Sequence, residues 1–221
     1  MGTADAETRG LVAICGERER RAHDMEPTQI RKERRQTQIR DSIFNHAIKL
    51  ADQYGYENVT VRMICSEAGI SIGMFYRNFD SKGDVLLYFY EHAVQAYEET
   101  LRETLINYPA RERLIRFYVW ITDFTSNLGL EFVKCFFSTH RKAQKSDFLD
   151  NQVAVLGTEL LDNAVNRGEL KLSSGRSALA VTHDILIIVK GILFDWCISS
   201  ETYDLAGYTQ VYLDRVVDSL L

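Results

Sequence analysis

Apolar residues recur at intervals of three and four along most of this chain, and its only prolines stand at Pro27 and Pro109. A period near 3.6 marks helices with one buried face, and without proline little cuts them short. No segment alternates apolar and polar residues as a half-buried strand would. The expected fold class is all-α. The spacing predicts a first helix over about 30–54, with Ile39, Ile43, Ala47, Leu50, Ala51 and Tyr54 on one stripe and Gly55 ending it. Short helices follow after Thr60, Ser71 and Ser81, whose hydroxyls suit N-caps. A long helix should run from Lys82 to about Asn107, and others are expected near 111–128, 130–144, 148–167, 176–199 and 204–220.

Composition removes several classes of function. At 221 residues, 46% of them hydrophobic, the chain can bury a core without disulfides or a structural metal. Cys15, Cys65, Cys135 and Cys197 are widely separated, with no Cys-x-x-Cys pair, and the five histidines are scattered. No metal site and no cofactor is therefore expected, and a reducing cytoplasm fits. The longest apolar run, Ile185–Phe194 interrupted by Lys190, is about half of what a bilayer span needs. The stretch Gly10–Gly16 is too short and too weakly apolar for a signal-peptide core. There is no Gly-rich phosphate loop, nucleophile elbow or His-Glu-x-x-His. An enzyme is not expected, and an all-helical hydrolase is the remote alternative.

The net charge of −5 is unevenly spread. From Thr28 to Lys82 nine Lys or Arg face six acids, a net of +3, so the remainder carries −8. Such asymmetry suits a chain in which one part meets a polyanion and another does something else. Within the basic part, Thr60–Phe79 reads as two short helices about a Gly-containing corner, the pattern of a helix-turn-helix. Ile64, Ala68, Ile70, Phe75 and Phe79 would close its core, leaving Ser71, Ile72, Gly73, Met74 and Arg77 turned outward. The basic run Arg31-Lys32-Glu33-Arg34-Arg35 precedes the first stripe and reads either as an arm touching phosphate or the minor groove, or as a solvated face.

The text from Val59 to Lys82, with Tyr54-Gly55-Tyr56 before it and Val85-Leu86 after it, resembles the DNA-binding domain of the TetR family of bacterial transcriptional regulators. The resemblance implies that Thr60 and Arg62 open the helix crossing the DNA backbone, with Arg62 able to reach a base edge. It implies that Ser71, Ile72, Gly73 and Met74 begin the recognition helix, and that Tyr76 and Lys82 hold phosphates. Arg77 and Asn78 join the candidate DNA-binding residues. Ile72 departs from the polar or basic residue frequent there and suggests contact with a thymine methyl; Asn78 departs from a frequent His. Three parts are expected: an extension over 1–28, poorly ordered; a helix-turn-helix domain over 29–82; and a helical ligand-binding and dimerisation domain over 83–221.

In that last part, the helix over 176–199 is apolar almost all round, which requires cover on two sides. A homodimer is expected in which it and the helix over 148–167 pack against their copies, through Leu149, Val153, Leu156, Leu160, Ile185, Ile188 and Ile192. Phe117, Trp120, Phe124 and Phe136, with His140 as a polar group, are candidates to line a pocket for an apolar or aromatic small molecule; the same rings could equally be core. Lys190 would pair with Asp184, Asp195 or a partner chain, or with an anionic ligand. The expected protein is a cytoplasmic dimeric regulator of transcription, a repressor released from a near-palindromic duplex by its ligand. A ligand-independent DNA-bound structural or interaction protein on the same fold is the alternative.

Overall fold

The computed structural model describes residues 27–143, 151–199 and 203–221. Among the described residues the regular structure is helical throughout. In chain order the helices are α1 (Pro27–Tyr54), α2 (Val61–Glu67), α3 (Ile72–Asn78), α4 (Lys82–Leu87), α5 (Phe89–Thr100), α6 (Arg102–Leu105), α7 (Ala110–Ser126), α8 (Leu130–Ala143), α9 (Gln152–Asn166), α10 (Ala178–Ile198) and α11 (Leu205–Leu220), with one 3-10 turn at Tyr56–Asn58. The extension expected over 1–28 lies outside the described residues up to position 26, while Pro27 and Thr28 open α1.

Local chemistry sets the boundaries. The Thr60 hydroxyl accepts the Met63 amide at 3.2 Å, Ser71 that of Met74 at 3.1 Å and Ser81 that of Asp84 at 3.2 Å, so all three short helices carry the side-chain caps their sequences promise. At the corner between α2 and α3, Gly69 has φ +65°, and the Ile70 amide reaches back to the Cys65 carbonyl at 3.0 Å. That left-handed closure is easy only for glycine. The long helix expected from Lys82 is instead three pieces, interrupted at Tyr88 and Leu101. The first interruption falls where the Tyr88 hydroxyl donates to Asp41 of α1 at 2.8 Å.

Helices α1–α4 form one unit around Ile43, Phe44, Ala47, Ile64, Phe75, Phe79, Val85 and Leu86, all buried. Helices α5 and α7–α11 form the second. There α9 packs on α5, α7 and α10, while α11 lies across α7 and α10. Helix α8 touches both units: one side meets α1, the 3-10 turn and α4, and another meets α10. No helix among the described residues is long and apolar enough to cross a membrane.

Candidate nucleic-acid interface and ligand cavity

The α2–α3 corner holds a small set of polar and apolar side chains outward on a rigid base. Ile64, Cys65 and Phe75 are buried beneath it, while Thr60, Arg62, Ser71, Ile72, Gly73, Tyr76 and Arg77 are exposed. Met74 and Asn78 are half-buried, and the Asn78 amide is spent on the Met74 carbonyl at 2.8 Å. Tyr76 stands edge-on to Phe75, with ring centroids 5.4 Å apart, and about half of its surface is exposed. Chemically the face offers one guanidinium on α2, another on α3, hydroxyls at two helix starts and an aliphatic tip at Ile72. This inventory suits phosphate oxygens at the edges and a methyl group in the middle.

Lys82 also has a task within its own chain. Its ammonium donates to the carbonyls of Tyr56 and Val59 at 2.7 and 2.8 Å and lies 4.1 Å from the Tyr56 ring centre. The Tyr56 hydroxyl returns a bond to the Lys82 carbonyl at 2.9 Å. The side chain is thus drawn inward by two carbonyl dipoles and a ring face, tying the 3-10 turn to α4. It braces the base of the corner. Burial also pushes the Tyr56 phenol well above its ordinary pKa, so this tie keeps its donor across the physiological range.

Sequence reasoning missed a polar cluster that joins the two units. The Arg40 guanidinium of α1 binds Glu91 of α5 through both terminal nitrogens, at 2.5 and 3.2 Å, while lying 4.2 Å from the Tyr88 ring centre and 5.1 Å from that of Phe79. Beside it, Asp41 accepts from Tyr88, and the His92 ring nitrogen Nδ1 lies 3.3 Å from the same carboxylate oxygen. His92 packs in turn on Phe44 and Phe124. The partners are about fifty positions apart in sequence, and no local pattern announces them.

In the second unit the aromatic side chains mostly fill space. Phe89 meets Phe124, Phe132 and Phe136 at centroid distances of 5.3 to 5.9 Å, and Trp120 stacks on Phe124 at 5.1 Å. One apolar cavity of about 30 Å³ lies among Phe89, Tyr90, Ile121, Phe136, Leu186 and Leu193. Of the rings expected to line a pocket, Phe136 lines this cavity and Phe117, Trp120 and Phe124 do not. Phe117 is fully buried, edge-on to Tyr97 and Tyr118, while Trp120 and Phe124 are half-buried and stack on each other. The His140 side chain lies outside the described residues. Lys190 reaches the cavity wall and is 8% exposed. Of the carboxylates suggested for it, Asp184 pairs with Arg176, and Asp195 accepts the Tyr203 hydroxyl at 3.0 Å.

The apolar faces of α9 and α10 differ from expectation in the same instructive way. Val153, Leu156, Ile185 and Ile192 are buried within the chain itself, Leu160 and Ile188 are half-buried, and Leu149 lies outside the described residues. The side of α10 left uncovered carries Ile187, Phe194 and Ile198, which are 56%, 52% and 63% exposed, with Gly191 between them. Tyr208, Val211 and Tyr212 of α11 are also exposed. A helix apolar all round gives no phase, so its outer face could not be picked from sequence.

Residues 43–89, which span the end of α1 through the start of α5, match the model of the bacterial regulatory proteins of the tetR family. Over this segment the chain is similar to the DNA-binding part of that family. The whole tetR-type architecture, a helix-turn-helix unit followed by a helical one, recurs in solved structures of low identity. A TetR-family transcriptional regulator from Syntrophomonas wolfei is 17% identical with a TM-score of 0.61, covering 84% of this chain and 97% of its own. FadR of Thermus thermophilus, a TetR-family repressor solved with lauroyl-CoA, is 19% identical with a TM-score of 0.57, covering 82% and 95%. FadR of Bacillus subtilis, solved with stearoyl-CoA, is 18% identical with a TM-score of 0.54, covering 78% and 95%. No curated protein matches the chain in sequence.

Proposed function

We propose that this tetR-family regulator binds duplex DNA through α2 and α3 and represses transcription until a small apolar or aromatic molecule releases it. The observation that carries the reading is the outward set Arg62, Ser71, Ile72, Gly73, Tyr76 and Arg77, held on a corner whose underside is fully packed. Arg62 and Ile72 read base edges, whereas Tyr76 and Arg77 hold phosphates. The chain acts as a homodimer through the outer face of α10 and the exposed side of α11, because Ile187, Phe194, Ile198, Tyr208, Val211 and Tyr212 form an apolar surface suited to a self-complementary contact. A dimer of this kind reads an inverted repeat with half-sites one turn of DNA, about 34–36 Å, or a small multiple apart.

Release works by population shift: a ligand that favours the arrangement of the two units poorly spaced for DNA weakens binding by its differential affinity and no more. The ligand enters at the cavity beside Phe136, and the solved acyl-CoA complexes of the two FadR proteins make apolar chains a reasonable first probe set. A volume of about 30 Å³ holds one water and no such ligand, so entry requires α8 or α10 to move. That small volume equally favours a second reading, a DNA-binding protein that works without an effector. Gel-shift titrations of a retained duplex against a panel of apolar small molecules separate the two: release by any member supports the first, and stable binding against the whole panel supports the second.

A further inference from the structure

Helix α1 is longer than its packing requires. It has 28 residues, yet among its described side chains the first buried one is Ile43, and every side chain from Arg31 to Gln36 is exposed. This overhang carries Arg31, Lys32, Arg34 and Arg35 against Glu33, a local charge of +3. Among the described residues none of these four cations has an ion pair or hydrogen bond, although other surface cations such as Lys49, Arg102, Arg111 and Arg116 do. Among the described residues the overhang covers nothing.

Its position ties it to the recognition helix. Arg40, one turn beyond the overhang, lies 5.1 Å from the ring of Phe79 at the end of α3, and shares a groove wall with Arg77 and Asn78. At 1.5 Å per residue, the four cations lie roughly 7 to 14 Å farther along the same unbroken helix axis. When α3 occupies a major groove about 12 Å wide, a rigid basic rod starting beside its C-terminal end is within reach of the bordering phosphates. We propose that the first turns of α1 are a second DNA contact, a helical arm that neutralises phosphates flanking each half-site and adds affinity without sequence preference. This inference rests on the regulator reading above and extends its footprint.

The test compares the full chain with the quadruple variant R31Q/K32Q/R34Q/R35Q, in which exposed positions keep good helix formers, and with R31K/R34K/R35K, which keeps the charge. Affinity for one retained duplex is measured by anisotropy across a salt series. If each protomer loses about four phosphate contacts, the glutamine variant should show a log K against log salt slope shallower by about 3.6 per protomer and at least about ten-fold weaker binding near 100 mM salt. Its hydroxyl-radical footprint should retract toward the half-site, and the lysine variant should behave as the parent. An unchanged slope and footprint in the glutamine variant, with the parent bound, would overturn the arm alone. If the parent retained no duplex DNA under any salt condition, the regulator reading and the arm would fall together.

Discussion

Replacing Gly157 by alanine should destabilise the second unit, although helix propensity alone argues the opposite. Gly157 sits mid-way along α9, where alanine is favoured over glycine by about 1 kcal/mol. A Cβ at that position would overlap the Tyr118 hydroxyl oxygen and come within 3.2 Å of both the Tyr118 Cζ and the Thr182 Cγ2. Tyr118 and Thr182 are fully buried, so neither can swing into free space. Overpacking of this kind costs about 1–3 kcal/mol, with a side chain forced off its rotamer contributing about 0.5–1.5 of that. Net of propensity, G157A should lose up to about 2 kcal/mol. Removing the oxygen tests the cause: in a Y118F background the same change should be neutral or stabilising, a coupling of about 1–3 kcal/mol. Urea midpoints at fixed protomer concentration, with an unchanged slope, measure both steps. Equal losses in the two backgrounds, or a gain in the parent, would refute the steric argument and the packing of α9 against α7 and α10 on which the cavity depends.

Charge placed by I187D with F194D should give folded monomers by sedimentation, whereas I185D, on the buried side of the same helix, should unfold the chain. Phe136→Ala, at a cost of about 3–5 kcal/mol, should open the cavity enough for benzene to raise the unfolding temperature, and Phe124→Ala, away from that lining, should not give the same response. Arg111 joins α7 to Asp214 and Asp218 of α11, at 3.2 and 2.7 Å. The Gln210 amide and then Arg111 hold Asp214 below its ordinary carboxylate value, and Arg111 does the same for Asp218. Lowered folded values mean stability present above about pH 4 and lost as pH falls through them, so R111A should flatten the acid limb of a urea-midpoint profile; an unchanged limb counts against the link.

What could be read from the sequence was local. Thr60, Ser71 and Ser81 cap within three residues, and Gly69 closes its turn within five, so the helix-turn-helix corner and the identity of its outward residues follow from neighbouring text. What could not be read depends on partners far along the chain. Lys82 lies where a phosphate contact is expected, yet carbonyls 23 and 26 positions earlier take its ammonium. The Arg40–Glu91 link and the Asp41–Tyr88–His92 set join residues about fifty positions apart. In α10, Ile185 and Ile187 are chemically alike, and only the placement of α9 and α11 decides that the first is core and the second surface.

Selection from randomised duplex DNA by the purified full chain tests the regulator reading most directly. The expected result is enrichment of an inverted repeat, with I72A or R62A altering base preference within each half-site and R77A weakening all sequences alike. Retention of no sequence above the random pool at low salt, or enrichment that these outward residues leave unchanged, would contradict the placement of DNA on α2 and α3.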